Sequence, residues 1–95
     1  MSKPSHIAIK GDLTMNRIAA VMKRVATMPK KHDVVIDLKD VSDADSSAVA
    51  FLLNAIRIGR ENGSTVRFAD VPASIMTLAD IYGLRAVLAD ASAQS

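Results

Sequence analysis

Cysteine and tryptophan are absent from this sequence, and only three aromatic residues occur: Phe51, Phe68 and Tyr82. Without cysteine there is no disulfide, no thiolate metal ligand and no thiol nucleophile. So few rings give no stacking platform for single-stranded nucleic acid. A strong charge of either sign is missing too, since 12 Lys and Arg stand against 10 Asp and Glu, a formal +2. The basic residues scatter, so the footprint of a nucleic-acid binder is lacking. No stretch approaches the ~20 apolar residues of a membrane span. The opening MSKPSHIAIK also lacks the apolar core of a signal peptide. These absences lead us to expect a cytoplasmic protein with no direct membrane insertion.

What is present fits one small domain. The chain has 95 residues, read as a single domain over 1–95 whose polar ends leave an ordered core of about 6–88. A chain this short has a thin core and little room for a deep active site. We therefore expect no enzyme.

Apolar periodicity marks out the elements. Residues 6–10 (HIAIK) alternate, with Ile7 and Ile9 on one face, and read as a strand. Met15, Ile18, Met22 and Val25 recur at spacings of three and four, with Ala19 and Ala26 beside them. That spacing predicts a helix ending before Pro29, with Thr14 as its N-cap. Residues 34–38 (VVIDL) read as a buried central strand. Residues 47–60 follow as a helix with a broad apolar arc, ended by Asn62-Gly63. Residues 65–69 (TVRFA) alternate as a strand. Pro72 opens a last helix with Ile75, Leu78, Ala79 and Tyr82 as its stripe, and Gly83 stops it. Residues 84–88 supply a final short strand. Alternating strands and helices predict an α/β fold with a small, largely parallel sheet.

The segment SDADSS (42–47) stands out as a strand-to-helix loop, the place where such folds carry function. Asp43 and Asp45 offer two hard oxygen ligands, but no further carboxylates or cation complete a metal or phosphotransfer site. Ser46 and Ser47 have no histidine base in a partner motif and no nucleophile elbow around them. No Gly-rich phosphate-cradling loop occurs either. Two readings survive. Asp45, Ser46 or Ser47 caps the following helix, or a hydroxyl at that helix start is phosphorylated and alters what docks there.

The stretch VVIDLKDVSDADSSAVAFLLNAIRIGRENGSTVRF resembles the core of a STAS domain, the family of anti-sigma factor antagonists and sulfate-transporter tails. The matching features are Ile36-Asp37-Leu38, Val41-Ser42, Asp45-Ser46-Ser47 opening a helix, Leu52-Leu53, and a Gly before the next strand. The order holds over roughly residues 7 to 88. The resemblance implies about four strands, mostly parallel, flanked by three to four helices, with no intrinsic enzyme activity. The segment VPASIMTLADIYGL is especially similar to the small STAS subunit of Mla-type ABC transporters. Those complexes move phospholipid between Gram-negative membranes, and that subunit sits on their cytoplasmic ATPase. The family's key hydroxyl falls on Ser46, and Ser47 is a second phosphorylation candidate. Ala48 replaces the usual Gly after the hydroxyl pair, and a first strand that many members carry is missing before residue 7.

The resemblance therefore implies a protein partner: an ABC-transporter ATPase subunit, or else an anti-sigma factor or its kinase. The chain would sit at the inner membrane only through that partner. Contact residues are expected at Asp43, Asp45, Ser46 and Ser47, with Asn54, Arg57 and Glu61 on the exposed side of the helix. No cofactor is expected; nucleotide binding has been suggested for the wider family, but no motif here supports it.

Overall fold

The computed structural model describes residues 4–84. Three strands and three helices alternate: β1 (Ser5–Leu13), α1 (Ile18–Ala26), β2 (Asp33–Ala44), α2 (Ser46–Asn62), β3 (Thr65–Ala69) and α3 (Ala73–Ile81). The sheet order is β1-β2-β3, and both pairings are parallel. Of the four strands expected, three form this sheet. The strand expected over 84–88 lies, beyond Leu84, outside the described residues.

Burial alternates along each strand, as a sheet covered on one face requires. Ile9, Val34, Ile36, Leu38, Val66 and Phe68 are buried on the covered face, whereas Ala8, Lys10, Lys39, Thr65 and Arg67 are exposed. The helices thus form a single layer, with α2 touching both α1 and α3. α2 lies at the centre and buries Ala48, Val49, Phe51, Leu52, Ala55 and Gly59, which accounts for its broad apolar arc. Gly59 allows the close approach to β3, because a Cβ there would collide with a methyl of Val66. Gly63 ends α2 at φ +69°, with Ser64 N–H donating to the Gly59 carbonyl at 2.8 Å.

The strands run further than their apolar cores predict. β2 continues from Leu38 through Ala44, paired with β1 as far as Leu13↔Ala44. Two irregularities, opposite Ala8/Lys10 and Gly11/Asp12, each put one extra residue in β2 and shift the register as the polar residues enter. The expected loop 42–47 therefore shrinks to Asp45 alone, and Asp43 is a strand residue.

α1 starts later than its stripe predicts. Its N-cap is Arg17, without a side-chain cap. The Thr14 hydroxyl donates instead to the Asp12 carboxylate, while the Thr14 carbonyl accepts from Arg17 and Ile18. Met15 consequently sits in the connecting turn, and Ala19 and Ala26 face solvent. The core stripe of α1 is Ile18, Val21, Met22 and Val25. α3 opens on Pro72, whose carbonyl accepts from Ile75 and Met76 at 3.0 Å. It closes at Tyr82-Gly83, where Gly83 takes φ +70°.

Candidate functional site

Asp45 is the single residue between β2 and α2, so the carboxyl end of the central strand hands directly to a helix N-terminus. Its extended backbone makes it the N-cap. One carboxylate oxygen accepts from Ser47 N–H at 2.8 Å and the other from Met15 N–H at 3.2 Å. The Asp45 N–H donates to the Leu13 carbonyl at 3.4 Å. One side chain thus caps α2 and ties down the turn after β1. The Ser47 N–H, and after it the Met15 N–H, hold the Asp45 carboxyl below the usual carboxylate range.

Ser46 and Ser47 separate in role. Ser47 is half-buried, and its backbone N–H serves the cap. Ser46 is exposed, and its hydroxyl is 2.9 Å from the Tyr82 hydroxyl at the end of α3. This bond joins the start of α2 to the end of α3.

Ser46 also begins an exposed stripe along α2. Ser46, Ala50, Leu53 and Arg57 are solvent-facing at helical spacing, with Glu61 one turn further. Asn54, Arg57 and Glu61 form a network: Arg57 donates to the Asn54 side-chain oxygen at 2.6 Å and to the Glu61 carboxylate at 2.8 Å. From Ser46 to Arg57 is eleven residues of helix, about 16 Å. The two groups share a face but do not converge. Asp43 is exposed on β2, opposite Asp12, and accepts from Ala44 N–H at 3.2 Å.

Four large apolar side chains are exposed among the described residues: Met15 at 76%, Ile81 at 71%, Tyr82 at 52% and Leu53 at 42%. Two of them, Met15 and Tyr82, are tied by hydrogen bonds to the Asp45–Ser46 helix start. Met15 is bonded through its backbone to Asp45, Tyr82 to Ser46 itself, Ile81 precedes Tyr82, and Leu53 lies two turns along the same stripe. Sequence reasoning missed this grouping. By spacing, Met15 and Tyr82 fit the apolar stripes of α1 and α3, which hides their exposure. Leu53 falls outside the buried arc of α2, the one signal that set it apart.

Both oxygens of Asp45 are engaged by backbone N–H groups. Among the described residues no three His, Asp or Glu side chains group as metal ligands. Nor is any helix there long and apolar enough to cross a membrane.

A parallel sheet with one layer of helices, capped at the central strand by an Asp-Ser-Ser helix start, is a STAS-type α/β domain. A solved structure with this fold is the sulfate transporter family protein from Wolinella succinogenes. It has a TM-score of 0.64 and 15% identity, covering 88% of this chain and 70% of that one. The chain belongs to the family described as "Mlab, STAS domain", whose profile matches residues 2–89. No curated protein matches it significantly. STAS domains are generally non-catalytic regulatory modules that act through protein–protein contacts, including contacts with transporter components.

Proposed function

We propose that this protein is a non-catalytic adaptor that docks on the cytoplasmic ATPase subunit of an Mla-type phospholipid-transport ABC complex. The observation that carries the reading is the exposure of Met15 and Tyr82 at the Asp45–Ser46 helix start, with Leu53 and Ile81 exposed on the same two helices, α2 and α3. Apolar groups grouped on a surface and rimmed by polar ones favour a partner protein. Asp45 holds the helix start in place, Ser46 and Tyr82 supply a polar centre, and the Asn54–Arg57–Glu61 network lies at the rim. The family relationship supplies the class of partner. The reading needs no cofactor.

Size-exclusion co-elution of the purified protein with the ATPase subunit of such a transporter tests this directly. Wild type should co-elute, and the Met15→Glu/Tyr82→Ala variant should bind at least about tenfold more weakly, as truncation at an interface centre does. Arg67→Glu, on the open sheet face, should bind as wild type does. Equal binding by all three proteins, or none by wild type, would sink the reading.

The alternative is an anti-sigma factor antagonist switched by phosphorylation. The exposed hydroxyl of Ser46 favours that residue over half-buried Ser47 as the modified group. Intact-mass analysis after incubation with a cognate kinase decides it: a single phosphate on Ser46 supports the switch, and an unmodified chain opposes it.

A further inference from the structure

The surface between β1 and α1, on the far side of β2 from β3, has no part in the docking reading. β1 is an edge strand of nine residues, with no neighbour on its outer side among the described residues. An open edge offers backbone groups to any passing strand, and proteins commonly blunt such edges with charge. Here α1 does so. Arg24 donates to the Ala8 carbonyl at 2.7 Å, and Arg17 donates to the Lys10 carbonyl at 2.6 Å. Gly11 leaves space for this, since a Cβ there would collide with the Arg17 guanidinium.

Beside these contacts runs a groove of about 390 Å³, with Ala8, Ile9, Ala20 and Val21 as its apolar lining and Lys10, Arg17 and Arg24 as its cations. Arg24 also lines an adjoining hollow of about 250 Å³ that reaches Ile7. Asp12 lies 3.9 Å from Arg17, and Asp37 and Asp40 stand across the strand pair from Ala8 and Lys10. Small residues leave room along the strand, and the charged side chains that line the groove itself are all cationic.

The geometry points to this groove as a docking site for an extended acidic protein segment that adds to the β1 edge with carboxylates at alternate positions. The two guanidiniums hold carbonyls two residues apart, a spacing of about 6.6 Å along a strand. Side chains at alternate positions of an added strand share one face at that same repeat. As the segment pairs, its N–H groups take over the Ala8 and Lys10 carbonyls. The displaced guanidiniums then turn to its carboxylates, exchanging bonds to neutral carbonyls for stronger charge-assisted ones. A neutral or basic strand displaces the same bonds without that return. The edge is thus closed to most strands and open to acidic ones.

A fluorescein-labelled decapeptide of alternating Glu and Thr is the probe, with Gln–Thr and Lys–Thr decapeptides beside it, read by anisotropy in low and high salt. The Glu peptide should bind at least about tenfold tighter than the Gln peptide and weaken with salt. Hydrogen exchange should show new protection along β1. Arg17→Gln/Arg24→Gln should weaken binding at least about tenfold. If that variant self-associates through its unguarded edge, Lys10→Glu tests the same charge without touching the two plugs, and it too should weaken binding. Ser46→Ala should bind the peptide as wild type does, which separates this site from the ATPase-docking surface. Equal affinity for the Gln peptide, or full binding by Lys10→Glu, would overturn the proposal. So would phosphatidylglycerol vesicles that displace the peptide while β1 stays unprotected, since the groove would then serve anionic lipid.

Discussion

The two ends of α2 are built for different tasks. At the C-terminal end, Gly59 lies against Val66, and Gly63 turns the chain at positive φ into β3. The two glycines there serve packing and chain reversal. At the N-terminal end, Asp45 fixes the backbone, while Ser46, Met15 and Tyr82 face solvent. One end anchors the helix and the other displays it. A rigid, buried body lets a short exposed tip hold its geometry, as a site on a regular element can and a free loop cannot.

The sharpest way to break this comparison is to damage the anchor. Gly59→Val forces branched carbons into Val66, and overpacking of this kind costs about 1–3 kcal/mol. Urea unfolding should show a lower midpoint at an unchanged slope. The surviving folded fraction should still bind the partner normally.

At the displayed end the expected losses are smaller. Asp45→Ala removes the cap of α2 and the tie to Met15, and should lower Tm by about 5 °C, as loss of a cap does in a chain of this size. Asp45→Asn keeps an acceptor for Ser47 N–H and should lose less.

The same pair sharpens the electrostatic side. The Asp45 carboxyl is held below its usual range chiefly by the Ser47 N–H and then by Met15. Its charged form is therefore favoured more in the fold than in the unfolded chain. That contribution is fully present above the unfolded value of about 4. It is lost as pH falls through the lower folded value. The Tm advantage of wild type over Asp45→Asn at pH 7 should shrink on acidification to pH 3.

The smallest stability effect belongs to Tyr82→Phe. Loss of one exposed hydrogen bond should move stability by no more than about 0.5 kcal/mol. Partner binding should still weaken about threefold, within the range of a single hydrogen bond. A variant that spares the fold and weakens docking, set beside Gly59→Val, separates display from anchor.

Features decided within a few residues were legible in the sequence. A cap among Asp45, Ser46 and Ser47 and a stop at Gly63 are local chemistry, and so is the alternation of 65–69; residues 34–38 read as a strand buried throughout, whereas burial alternates along them because helices cover one face of the sheet. The STAS fold and family were likewise legible. What was hidden depends on distant partners. Met15 has the spacing of a core residue, and only the extension of β1 to Leu13 moves it out of the helix. Tyr82 fits the α3 stripe, yet it lies beyond the last helical turn and reaches Ser46, thirty-six residues away. Asp43 reads as a loop acid because the irregular pairing that lengthens β2 has no apolar signature. The arginines of α1 look like an ordinary solvated face until the β1 carbonyls are placed beneath them.

The Ser46–Tyr82 bond carries a consequence for the order of synthesis. β1, α1, β2, α2 and β3 are all synthesised before Tyr82, so the helix start at Ser46 lacks its phenol and Ile81 until α3 has been made. A partner that reads Met15, Ser46, Ile81 and Tyr82 together thereby reads a chain extended through α3. Recognition then doubles as a check that translation and folding have run through α3.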